Sequence, residues 1–150
     1  MNRTPPPGDQ WLQSSGLWLC PACGKAFKQR GLWHACVVLS LDHHFAQRPR
    51  ARELFDAFQR SLEEVGGPFR LSIAQSRIGF ITRMTFAAVM PRRSYLRAHF
   101  LLLRRIDSPR IIKIEQLSPY WVHNIEIRAE SDLDEELRAW LQESYAVGAR

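Results

Sequence analysis

A chain of 150 residues suits one domain with at most a small satellite, and at this length roughly two thirds of the unfolded surface can be buried. The composition is 45% hydrophobic with five tryptophans and eight phenylalanines, which excludes a wholly disordered chain; no run approaches the roughly 20 apolar residues of a membrane-spanning helix. Twenty-one basic against 15 acidic residues give a net charge of +6, a balance that favours polyanionic partners.

In chain order, residues 1–14 open with Met-Asn-Arg-Thr-Pro-Pro-Pro-Gly-Asp-Gln, too polar and proline-rich for a core, and read as a disordered leader. It lacks the apolar run of a signal peptide, so the expected location is cytoplasmic. Residues 15–40 hold all three cysteines. Cys20 and Cys23 form a C-x-x-C knuckle shaped by Pro21 and Gly24, and His34 and Cys36 close the set ten residues on. Three cysteines cannot pair evenly into disulfides, whereas three thiolates and one imidazole fill a tetrahedral zinc shell. A closed shell leaves no position for water, so the Zn(2+) is expected to be structural. A reduced core pair or a redox C-x-x-C would compete, but the latter wants the pair opening a helix within a βαβ unit. Iron could occupy the same ligands, though mixed Cys/His shells favour zinc. Trp18, Phe27 and Trp33 are expected to pack over the knuckle.

Residues 41–150 read as an α+β domain. A turn-like stretch, Asp42 to Pro49, leads into a helix begun by Pro49, with Ala51, Leu54, Phe55, Phe58, Leu62 and Val65 on one stripe, and ended by Gly66-Gly67-Pro68. From Phe69 to Arg128 the hydrophobic period falls to two. Six strands are predicted: Arg70 to Ala74, Ile78 to Thr82, Thr85 to Met90, Tyr95 to Leu103, Ile111 to Leu117 and Val122 to Arg128. Short connections favour an antiparallel meander. Ser131 to Asp134 resembles a capping box, and Leu133, Leu137, Trp140 and Leu141 form the core stripe of a closing helix. The predicted architecture is a mostly antiparallel sheet of five or six strands with two helices on one face, preceded by the knuckle.

Charge is unevenly spread. Between Arg77 and Lys113 there are nine basic residues and one acid, Asp107, while the closing segment is acidic. Alternation along Tyr95 to Leu103 puts Leu96, Ala98, Phe100 and Leu102 on one face and Tyr95, Arg97 and His99 on the other. An aromatic ring beside cations on an open sheet face can stack bases and neutralise phosphate. The candidate nucleic-acid or anion-binding residues are therefore Arg92, Arg93, Tyr95, Arg97, Arg104 and Arg105. The competing reading is a solvated strand face neutralised by the acidic helix. Trp121 and His123 point with Ile125 and Ile127 toward the helices, so a buried, hydrogen-bonded histidine is expected. A small-ligand cleft at Tyr120 and His123 is the alternative. No serine elbow, phosphate-binding glycine loop or dinucleotide fingerprint is present.

Leu17-Trp18-Leu19-Cys20-Pro21-Ala22-Cys23-Gly24-Lys25-Ala26-Phe27, the closure Trp33-His34-Ala35-Cys36 and Leu41-Asp42-His43-His44-Phe45 resemble the bacterial family called domain of unknown function 5655. The likeness continues through Arg52 to Glu64, Phe86 to Arg93, Trp121-Val122-His123 and Leu133 to Tyr145. It implies a small α+β body with a zinc knuckle in front in members that carry the cysteines, and a distant likeness to YdhG-like iron-chaperone domains. It implies no activity. Asp42-His43-His44 after a knuckle also resembles HNH nucleases, but His34 is already used by the zinc shell and no second C-x-x-C follows. The sequence thus points to a non-enzymatic module that contacts DNA or RNA through a basic sheet face. Protein interaction or small-ligand binding is the alternative, with metal handling and an HNH-like nuclease as remote ones.

Overall fold

The stripe that begins at Pro49 does form a helix, and the period-two region after it forms a sheet for that helix to cover. The computed structural model describes residues 16–21, 26–34 and 40–150. The expected leader, together with Cys23 and Cys36 of the knuckle, lies outside the described residues. A small hairpin, β1 (Trp18–Leu19) and β2 (Ala26–Phe27), precedes a short helix α1 (Leu41–Phe45) and the long helix α2 (Pro49–Val65). Six strands follow, β3 (Arg70–Ile73), β4 (Ile78–Ile81), β5 (Thr85–Pro91), β6 (Leu96–Leu102), β7 (Lys113–Leu117) and β8 (Tyr120–Ile127), and α3 (Glu135–Gly148) closes the chain. The strands make one antiparallel sheet in the order β3-β4-β5-β6-β8-β7. This is the expected α+β class, with both main helices on one side.

The register assigns every side chain to a face. Ala87 opposes Phe100, Val89 opposes Ala98, and Phe100 opposes His123, so these residues share the helix-facing side with Leu96, Ile125 and Ile127. Phe80 anchors the half under α2, with ring centroids 6.1 Å from Phe55, 5.3 Å from Phe58 and 5.3 Å from Phe69. Under α3, Trp140 stacks on Phe100 at 6.0 Å and Phe100 on His123 at 5.4 Å. Phe55, Phe58, Phe80, Phe86 and Phe100 are all fully buried. Each contributes roughly 1.5–3 kcal/mol of apolar transfer free energy.

Four local expectations are corrected. The stretch after Leu41 is not a turn but α1, because the Ser40 hydroxyl accepts from the His43 N–H at 3.2 Å and the helix buries His44 and Phe45. Ser131 does not cap the closing helix. Asp134 is its N-cap, accepting from the Leu137 N–H at 3.0 Å, while Asp132 ends a separate 3-10 turn, Glu130–Asp132, and accepts from the N–H groups of Arg128 and Ala129. Trp33 does not pack over the knuckle; it is 91% exposed, and Trp18 and Phe27 pack on His34 without it. Finally, the meander breaks at its last step. The 103–112 connection carries the chain past β8, so β7 lies on the outer edge. His123 and Arg110 hold that connection. Nε2 of His123 accepts from the Ile106 N–H at 2.9 Å, and Arg110 binds Asp134 and the Asp132 carbonyl at 2.8 and 2.6 Å.

Candidate nucleic-acid interface

In an antiparallel sheet every second connection falls at the same end, and this brings the arginines of distant segments together. The β3–β4 turn, carrying Gln75 and Arg77, and the β5–β6 turn, carrying Arg92 and Arg93, lie at one end of the sheet. Arg128, after β8, lies there too, its guanidinium 4.0 Å from the centre of the Tyr95 ring. Arg97 and His99 project from β6 onto the side away from the helices, opposite Glu126 and Asn124 of β8. Lys113 and Glu115 continue that face onto β7.

Arg104 and Arg105 are at the other end. With about 3.4 Å per residue, β6 separates them from Arg92 and Arg93 by roughly 20 Å or more. The six basic and aromatic positions expected to act together therefore divide: Arg92, Arg93, Tyr95 and Arg97 share one end of the sheet, Arg104 and Arg105 the other.

Ion pairing divides them again. Arg104 makes a bidentate pair with Glu143 of α3, both contacts at 3.0 Å, and Arg110 bridges Asp134 and Glu136 at 2.8 and 3.2 Å. Arg138 binds Glu64 at 2.6 Å and Arg128 binds Glu126 at 2.7 Å. Acids of the closing segment thus pair with Arg104, Arg110 and Arg128, while Arg138 ties the closing helix to α2. Among the described residues, Arg77, Arg92, Arg93 and Arg97 enter no ion pair with a carboxylate. Their shared field is visible on His99. Burial holds its pKa below the usual histidine range, Arg77 and Arg97 lower it further, and Glu115 opposes them.

The Tyr120 and His123 positions do not form a common site. Residues three apart on a strand face opposite sides, and His123 is fully buried between Phe100 and the 103–112 connection. Burial pushes its pKa down, and with Nε2 accepting from Ile106 it sits in the core as a neutral imidazole. The Asp42-His43-His44 run is wound around α1. Asp42 is nearly fully exposed and 3.7 Å from Arg52, while Nε2 of the buried His44 is 2.6 Å from the Ala74 carbonyl.

In the knuckle, β1 pairs with β2 in the register Trp18 with Phe27 and Leu19 with Ala26, and Cys20 follows, buried. The His34 ring lies 4.3 Å from Phe27, and its Nδ1 is 2.7 Å from the Leu32 carbonyl. A carbonyl only accepts, so Nδ1 is the donor in this contact. Of the four expected zinc ligands, Cys20 and His34 are placed beside this hairpin; Cys23 and Cys36 are outside the described residues.

Two arginines near this end are not marked by the strand alternation. Arg77 is one of the nine basic residues of the Arg77 to Lys113 segment, and Arg48 lies between α1 and α2. The parity of turns along a meander would have put Arg77 beside Arg92. Nothing in the local sequence marks Arg48, whose position depends on how α1 docks.

No helix among the described residues is long and apolar enough to cross a membrane. No curated protein and no solved structure matches the chain. The family described as domain of unknown function (DUF5655) matches residues 41–148, which span both main helices and the whole sheet. The chain is therefore a member of the DUF5655 family, and its family domain is this helix-covered sheet.

Proposed function

We propose that the chain is a zinc-stapled binding module that engages nucleic acid through the arginine-bearing end of its sheet and the adjoining residues on the face away from the helices. One observation carries this reading. Arg104 and Arg110 are held by carboxylates of the closing helix and its cap, whereas Arg77, Arg92, Arg93 and Arg97 share one end and have no carboxylate partner among the described residues. Such a cluster releases counterions when it meets a phosphate backbone. Tyr95, half-buried with Arg128 over its ring, is the aromatic at this end that would stack on a base. Cys20, Cys23, His34 and Cys36 would hold the zinc, which supplies no chemistry beyond fixing the hairpin.

The test is a titration of zinc-loaded protein into labelled single-stranded DNA, single-stranded RNA and duplex DNA at several salt concentrations. Affinity should fall steeply with salt, and the logarithmic slope should shrink by about one per arginine removed in Arg77→Gln, Arg92→Gln and Arg97→Gln. Arg83→Gln and Arg105→Gln, at the far end, should leave the slope nearly unchanged. Absence of binding at low salt to all three probes would sink the reading.

A further inference from the structure

α1 and the two arginine-bearing turns enclose a cleft of about 630 Å³, lined by His43, His44, Gln47, Arg48, Gln75 and Arg93, with Ala46 at its wall. That volume lies within the range of small-ligand sites. Its lining is unusual for this surface: it holds two guanidinium groups, two imidazoles and two carboxamides, and no carboxylate. The one acid on α1, Asp42, is turned outward beside Arg52.

The walls are fixed by the fold. The His44 Nε2–H donates to the Ala74 carbonyl at 2.6 Å, joining α1 to the end of β3. Nη1 of Arg48 donates to the His44 carbonyl at 3.2 Å, which orients the guanidinium and leaves its remaining N–H groups unassigned. Arg93 enters from the β5–β6 turn. The α2 helix begins beside Arg48 with no acidic residue in its first turn, so the positive end of its dipole adds to the field. Forked guanidinium donors from two elements, together with two side-chain amides in the same lining, match the three terminal oxygens of a phosphate monoester better than the two of a backbone diester.

We propose that this cleft is a phosphate-monoester site and that it receives the terminal phosphate of a nucleic-acid strand whose backbone runs over the neighbouring arginines. The inference rests on the nucleic-acid reading for the source of the phosphate, not for the chemistry of the cleft. A free nucleotide would present the same group.

The test compares one single-stranded oligonucleotide with a 5′-phosphate, with a 3′-phosphate and with hydroxyls at both ends, alongside adenosine 5′-monophosphate as a free monoester. One of the phosphorylated strands should bind on the order of tenfold more tightly than the unphosphorylated strand. The ratio should fall toward one in Arg48→Gln and Arg93→Gln, whose melting temperatures confirm that both variants fold. Equal affinity for all three strands, with binding retained, would overturn the cleft and leave the nucleic-acid reading standing. Binding of adenosine 5′-monophosphate that is lost in Arg48→Gln, with no strand bound, would support the cleft and overturn the nucleic-acid reading. No binding of any probe would remove both.

Discussion

Ser144 shows how one buried hydroxyl joins the layers. Extending the β5–β6 register by one step would set Phe86 opposite Leu101, but that ladder ends at Ala87 with Phe100, and on its other side the β4–β5 register shifts between Phe80 and Ile81 and skips Phe86. The Ser144 hydroxyl occupies the gap, accepting from the Leu101 N–H at 3.2 Å and donating to the Phe86 carbonyl at 2.9 Å. It is fully buried, so Ser144→Ala leaves a donor and an acceptor unsatisfied. The expected cost is about 1–3 kcal/mol, read as a lower denaturation midpoint at unchanged m-value. His99 is a second residue whose surroundings decide its behaviour. Burial and the facing Arg77 and Arg97 depress its folded pKa against the opposing Glu115, so below about pH 6.5 the unfolded chain binds the proton more readily. Stability is therefore lost as pH falls through and below that value, and His123, depressed by burial, adds to the loss. His99→Asn should flatten part of the melting-temperature profile between pH 7.5 and 5.5. A phosphate bound beside His99 would raise its pKa, so nucleic-acid affinity should strengthen over the same fall in pH, and His99→Asn should remove that gain.

At the scale of elements, the closing helix is held by its first turn as well as by its stripe. Arg110, from the 103–112 connection, binds the carboxylate of the N-cap Asp134 and lies 5.8 Å from the centre of the Trp140 ring. The Leu137 N–H and then Arg110 keep the Asp134 pKa below the usual carboxylate value. Its contribution is thus present above the unfolded pKa and fades as acid protonates it. Asp134→Ala should cost about 0.5–2 kcal/mol through the lost cap, and should also loosen the 103–112 connection, visible as faster amide exchange at Ile106. The strands and the α2 stripe were legible because burial on one face imposes a period that survives any tertiary arrangement. The swap of β7 and β8 was not. It depends on Ile106 and Arg110 of that connection binding His123 and Asp134, 17 and 24 residues further on, which no local pattern announces. The α1 helix was hidden for a related reason: five residues are too few for a periodic signal, and only the Ser40 cap marks its start.

At the scale of the whole molecule, the fold distributes the basic residues of the sequence over separate surfaces. The stretch from Arg77 to Lys113 reads as one block of charge, yet the fold sends Arg104 and Arg110 to the acidic helix and Arg77, Arg92, Arg93 and Arg97 to the opposite end and face. Net charge therefore does not describe one surface, whereas alternation along β6 did put Arg97 and His99 on the face away from the helices. The knuckle has a different status: spacing alone suggests its four ligands, of which Cys20 and His34 lie among the described residues. Its relation to the body can be argued from burial. The core cluster draws on Phe45 and residues after it, and includes nothing from the hairpin. The body should then fold without zinc, whereas the hairpin pairs only two residues per strand and has no comparable core. Chelation of zinc, or Cys20→Ser, should abolish the ordered signals of Trp18, Phe27 and His34 while leaving the cooperative melting of residues 41–150 nearly unchanged. Heteronuclear NMR during a chelator titration measures both at once. Loss of the body's dispersed resonances together with the hairpin's would mean that the ion supports the whole domain, and the knuckle could no longer be regarded as a separate staple.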